Sequence, residues 1–190
     1  MLFSYFKYTH IMKNTPIFVT LIVCSVITGT LNAQSIITWA KDRTLQWSDF
    51  KATPNTEIMA YAQTSYKIEI TPSNVAVDQH NNIKNYKSLN VVANFYTNHS
   101  WVLKEDSNLL KHEQLHFDIA GLYAHKMKLE FQNLKDKNIA NFDAYMSVYN
   151  NLWAECRATQ KQYDRDTNHG LSRTENMKWI NTISIQLNQI

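Results

Sequence analysis

The chain of 190 residues has the length of one domain plus a short leader, and its 44% hydrophobic and 12% aromatic content is enough to fill a core. That composition excludes intrinsic disorder over most of the length, and three Gly with three Pro exclude collagen-like or linker-dominated designs. The formal charge of +3 owes two of its 19 basic residues to Lys7 and Lys13, so the rest is close to neutral and gives no support to a nucleic-acid partner.

Residues 15–31 (TPIFVTLIVCSVITGTL) are apolar and free of charge, follow the two lysines, and lead to Leu31 and Ala33 ahead of Gln34. Basic flank, short apolar run and small residue predict a cleavable signal peptide over residues 1–33 and a single domain over 34–190, hence a secreted or periplasmic protein. An uncleaved anchor is the competing reading of the same run, and the only membrane contact expected besides a lipid anchor. Cys24 is a candidate for lipid attachment, although Val23 before it is larger than such sites prefer. Loss of the leader leaves Cys156 as the one cysteine, which predicts a domain without an internal disulfide.

The first half of the domain reads as β-structure. Residues 60–70 (AYAQTSYKIEI) end with Tyr66, Ile68 and Ile70 on one face and Lys67 and Glu69 on the other. Residues 89–96 (LNVVANFY) alternate in the same way, with Leu89, Val91, Ala93 and Phe95 sharing a face. Period-two alternation predicts half-buried antiparallel strands, and the polar run at 78–85 between them predicts a loop.

The second half is helical. A helix capped by Asp106 or Ser107 is expected to run to about Leu134, and a second from about Phe142 to about Thr167 carries an apolar stripe of Tyr145, Tyr149, Leu152, Cys156 and Tyr163. Gly170 is placed as its left-handed cap. A third helix opens at the capping box formed by Ser172 and Glu175 and is expected to bury Met177, Ile180, Ile183 and Leu187. Strands followed by three helices predict an α+β fold.

The chemistry gathers at residues 112–116, His-Glu-Gln-Leu-His. Residues four apart on a helix lie about 40° apart around the axis and one turn along it, so His112 and His116 converge on one small cation. Glu113, about 100° from His112, can face a water on that ion without ligating it, as zinc-assisted hydrolysis requires. With seven His and seven Glu in 190 residues, this spacing seldom arises by chance. The helix is therefore zincin-like: Zn2+ is the expected cofactor and Glu113 the expected general base.

A catalytic zinc needs a third protein ligand. On the helix itself His125 and Asp118 point about 180° and 200° away from His116, so neither reaches the same ion. The metzincin pattern asks for histidine where Leu122 stands. Position favours His169, which sits where the second helix ends in Gly170, while Glu155, as in gluzincin enzymes, and His99 or His80 stay open. Asp164 and Asp166 are candidates to orient an imidazole. Tyr163 is either an oxyanion donor or a core residue of the stripe, and Trp47, Trp101, Trp153 and Trp179 read as core aromatics.

The stretch RTLQWSDF, then SWV before LLKHEQLHFDIA, then YDRDTNHG and a Trp-bearing last helix resemble a family of uncharacterised bacterial secreted proteins taken to be zinc-dependent proteases. The resemblance covers residues 43–183. It implies that His112, Glu113 and His116 form the zinc helix and that the Y-D-x-x-T-x-H motif ending at His169 belongs to the site. Gly121 departs from the pattern, in which glutamate is common at that place, but removes no ligand. The expectation is a secreted or periplasmic metallopeptidase acting on a peptide or protein substrate, with residues 89–97 as an edge strand that pairs with it. The alternative is a zinc-stabilised, non-catalytic module that binds a component of the cell envelope.

Overall fold

Alternating apolar residues in the first half pair into sheet, as period-two patterning requires. The computed structural model describes residues 35–190; the expected signal peptide, with Lys7, Lys13 and Cys24, lies outside the described residues. Strand β1 (Ile36–Thr38) and strand β3 (Tyr66–Thr71) flank strand β4 (Asn90–Tyr96) in a three-stranded antiparallel sheet of order β1-β4-β3. Strand β2 (Ala62–Gln63) pairs separately with β5 (Trp101–Val102). The expectation that residues 89–97 form an edge strand is therefore corrected. Over Asn94–Tyr96 the side of β4 away from β3 is taken by Ile36–Thr38, while Tyr66–Thr71 takes the other side along Asn90–Phe95, so β4 is the central strand of its sheet and not an edge.

Helix α1 (Ser107–Asp136) covers this sheet, with Phe117 tilted against Phe95 at 5.7 Å and Phe95 in turn meeting Phe50 edge to face. Its cap is Asp106, whose carboxylate accepts from the backbone N–H groups of Asn108 and Leu109. Helix α2 (Phe142–Thr167) is capped in the same way by Asn141 and runs antiparallel to α1, so that Phe131 meets Tyr145 near one end and His116 meets Gln160 near the other. The stripe on α2 buries Tyr145, Cys156 and Tyr163, with Tyr149 and Leu152 packed partly buried beside them. Helix α3 (Arg173–Leu187) closes the end of this pair that carries His112 and Tyr163. The fold is α+β, strands first and three helices after, as the sequence predicts.

Details of the helix ends differ from expectation. The left-handed cap of α2 is Asn168, with φ of 48°, and His169 and Gly170 follow it at 53° and 81°. Asparagine tolerates that region better than most side chains, so the turn begins two residues before the glycine. Ser172 caps α3 without a side-chain hydrogen bond, so no capping box forms. Ile183 and Leu187 are buried as expected and Ile180 is partly so, but Met177 faces outward and Asn176 takes the interior position.

Candidate metal centre

The antiparallel pairing of α1 and α2 decides which residues of α2 reach the histidine pair. Early α1 lies level with late α2, which brings the last turns of α2 beside His112 and His116. The Nε2 atoms of the two histidines are 3.1 Å apart, and Asp164 Oδ1 lies 3.0 Å from His116 Nε2 and 3.3 Å from His112 Nε2. These three residues form the one cluster among the described residues whose His, Cys or carboxylate atoms converge closely enough to hold a metal.

His169 was expected as the third member of that set; the structure brings Asp164 there instead. Three consecutive left-handed residues turn the chain after α2, so the His169 side chain is 74% exposed at the rim, its Nδ1 3.8 Å from Asp164 Oδ1. Asp164, expected only to orient an imidazole, precedes that turn and points at α1. Glu155 is exposed nine residues earlier on α2, about 13 Å along the axis. His80 and His99 belong to other loops, with His80 beside Gln79 and His99 edge-on to Tyr96. Asp166 accepts from Trp179 Nε1 and Gln162 Nε2 and takes no part.

One contributor escaped the sequence reading. Gln160 accepts through Oε1 from His116 Nδ1 and donates through Nε2 to the His116 carbonyl at 2.8 Å. A ring that donates from Nδ1 presents an unprotonated Nε2, so Gln160 fixes the tautomer a metal needs. Glutamine on a helix has no sequence signature for this role; only its place one turn before Asp164 hints at it. Behind His112, Tyr163 stacks at 4.5 Å, is wholly buried, and gives its hydroxyl to Asn176 Oδ1. Tyr163 is therefore core and support for the imidazole, not an oxyanion donor.

Charge is concentrated at this point. Burial works to raise the Asp164 carboxyl, yet hydrogen bonds from both imidazoles and their charge outweigh it and hold the group well below the usual carboxylate range. Burial pushes His112 down, whereas for His116 the carboxylates of Asp164 and Glu113 overcome burial and raise it. A proton shared among these atoms or a metal ion placed between them satisfies the cluster, and two imidazole nitrogens with a carboxylate oxygen are a donor set that fits a divalent metal such as zinc. Glu113 is 4% exposed, and its Oε2 is buried without a protein partner. His112, Glu113, His116 and Asp164 together line an open cavity of about 450 Å³. Burial pushes the Cys156 thiol up to about 12, which removes it as a nucleophile at neutral pH.

Two glycines fit their surroundings tightly. A Cβ on Gly170 would lie 2.8 Å from His112 Cγ, and its φ of 81° is one that side chains resist. At Gly121 a Cβ would fall 2.3 Å from the Trp39 ring, whose Nε1 donates to Asp118. The space beside Gly121 is thus filled by Trp39.

Residues 41–170 match a family described as bacterial protein of unknown function (DUF922). The chain belongs to that family. The DUF922 match spans the His112 helix and ends at Gly170, so it contains every residue of the cluster and the turn beside it. No curated protein matches the chain, and no solved structure does.

Proposed function

We propose that the protein is an exported zinc-dependent metallopeptidase in which His112, His116 and Asp164 hold the ion and Glu113 is the general base. The observation that carries this reading is the triangle of ligand atoms, with edges of 3.0 to 3.3 Å, at the floor of a cavity that Glu113 also lines. Tetrahedral zinc with ligands at about 2.0–2.1 Å sets neighbouring ligand atoms about 3.3 Å apart. Three protein ligands leave the fourth position to the cavity, the pattern of catalytic rather than closed structural sites.

Zinc held by His112, His116 and Asp164 would lower the pKa of a bound water and polarise a substrate carbonyl. Glu113 offers an oxygen that no protein donor engages, so it is free to take a proton from the attacking water and return it to the departing amine. Gln160 keeps His116 presenting Nε2, and Asp164 offsets part of the cationic charge. The closed, non-catalytic module needs a fourth protein ligand, and His169 at the rim is the residue placed to swing in.

The test is metal analysis joined to hydrolysis of an unfolded protein. Protein purified without chelator should carry about one zinc per chain. Glu113→Gln should keep the zinc and lose hydrolysis, and Asp164→Ala should lose the zinc while His169→Ala keeps it. Wild-type hydrolysis by Glu113→Gln would sink the mechanism; zinc lost with His169→Ala but kept with Asp164→Ala would move the third ligand to His169.

A further inference from the structure

The cleft above the histidine pair has two walls of separate origin. Residues 58–64, which include β2, form one, and the turn at residues 168–171 forms the other. Thr64 Oγ1 donates to the Glu113 carbonyl at 3.2 Å, which fixes β2 over the start of α1.

Among the described residues, strand β2 has a strand partner on one side only, in a sheet of order β2-β5. Leu103 N–H donates to the Tyr61 carbonyl at 2.7 Å, so the main-chain groups of Tyr61 point toward β5. In an antiparallel pair the next residue directs its N–H and C=O the opposite way. Ala62, opposite Val102 in the register, therefore turns its main-chain groups to the side where, among the described residues, no further strand lies.

The walls are also unusually apolar for exposed surface. Ile58, Met59 and Tyr61 on one side and Leu171 on the other are 46%, 104%, 53% and 62% exposed, and all four line the same cavity. No Lys or Arg lines it; its fixed charges are the carboxylates of Glu113 and Asp164. A divalent ion would cancel those two charges, and apart from that ion the lining offers no cationic side chain of Lys or Arg to pair with a phosphate or carboxylate on the ligand.

We propose, on the metallopeptidase reading above, that the substrate is a polypeptide in extended conformation, added along the free edge of β2, with a large apolar side chain beside the cleaved bond held between Ile58, Met59, Tyr61 and Leu171. Main-chain bonding to Ala62 supplies the alignment and is blind to sequence, whereas the apolar walls supply the preference. The edge runs toward Gln63 and Thr64, so a strand on it passes over Glu113.

The experiment uses zinc-loaded full-length protein carrying Glu113→Gln and fluorescein-labelled decapeptides with Leu, Ala, Asp or Lys at the central position. Anisotropy should give at least tenfold tighter binding of the Leu peptide than of the Asp peptide. A double change of Met59→Asp with Leu171→Asp should erase that preference at unchanged zinc content. N-methylation of the central backbone amides of the Leu peptide should weaken binding at least tenfold. Equal binding of Leu and Asp peptides, or indifference to N-methylation, overturns the proposal. So does retention of apolar-rich lipid vesicles of phosphatidylcholine in place of the Leu peptide. Wild-type protein separates this proposal from the reading beneath it. Cleavage without apolar preference defeats the docking mode alone, and tight apolar-selective binding without any cleavage defeats the peptidase alone.

Discussion

Near one end of the α1–α2 pair, Phe131 and Tyr145 meet edge to face at 4.9 Å in an apolar core, with the Tyr145 hydroxyl donating to the Ile139 carbonyl. Toward the other, the same two helices meet through His112, His116, Gln160 and Asp164, with two imidazole nitrogens and a carboxylate oxygen within 3.3 Å of each other. The first contact is what burial alone favours. The second gathers desolvated polar atoms that need a proton or a metal ion among them, an arrangement a helix pair would not need for stability. One packing geometry thus serves both purposes, and the two ends should respond to different insults.

Removing a ligand is expected to have the largest effect at the polar end. His116→Ala should abolish stoichiometric zinc while circular dichroism stays that of the native fold; retention of zinc would mean that the ion lies elsewhere. The mirror experiment is Phe131→Ala, expected to cost about 3–5 kcal/mol of stability in denaturant unfolding yet leave zinc binding to the folded fraction unchanged. Should that variant also lose zinc affinity, the two ends are coupled more tightly than the packing implies.

A smaller change sharpens the role of the contact between them. Gln160→Leu removes both bonds to His116 and should weaken zinc about 10- to 100-fold in competitive titration with a chelator. Gln160→Glu keeps an acceptor for Nδ1–H and should recover much of that loss. Acidity gives the mildest probe. Zinc requires neutral imidazoles, and Asp164 with Glu113 raises His116, so zinc must displace a favoured proton. Because His116 is raised, apparent affinity should begin to fall above the ordinary imidazole range and continue to fall as pH drops, by about tenfold per unit for each proton taken up. Asp164, held low, remains ionised across that window and adds nothing to the slope.

The sequence is most transparent where a period repeats. The three helices and the main strands stand where spacing predicts, because amphipathic stripes encode which side faces the core. The histidine pair is legible for the same reason, being a helical spacing in itself. The third cluster member was not, since it depends on how α2 aligns with α1, and nothing local distinguishes Asp164 from Asp166. The turn explains the preference for His169: its glycine suggested a chain doubling back on the metal, whereas a left-handed run starting at Asn168 carries the imidazole outward. β4 misled for another cause. Its pattern describes a strand but not its neighbours, and Ile36–Thr38, too short to announce itself, closes the side that would have been an edge.

The contact between Gly170 and the His112 ring has a consequence in time as well as space. A chain elongated only through residue 150 already carries both histidines, yet it lacks Gln160, Asp164 and the turn that backs the imidazole. Asn108, four residues ahead of His112, donates to the Gly170 carbonyl at 2.7 Å, tying the earliest part of the site to its last. The cluster of His112, His116 and Asp164 can therefore be complete only once α2 has been synthesised and has packed back along α1. Stable capture of an ion would then mark a chain that has finished folding, and a truncation just short of Gly170 should leave a histidine pair without a pocket.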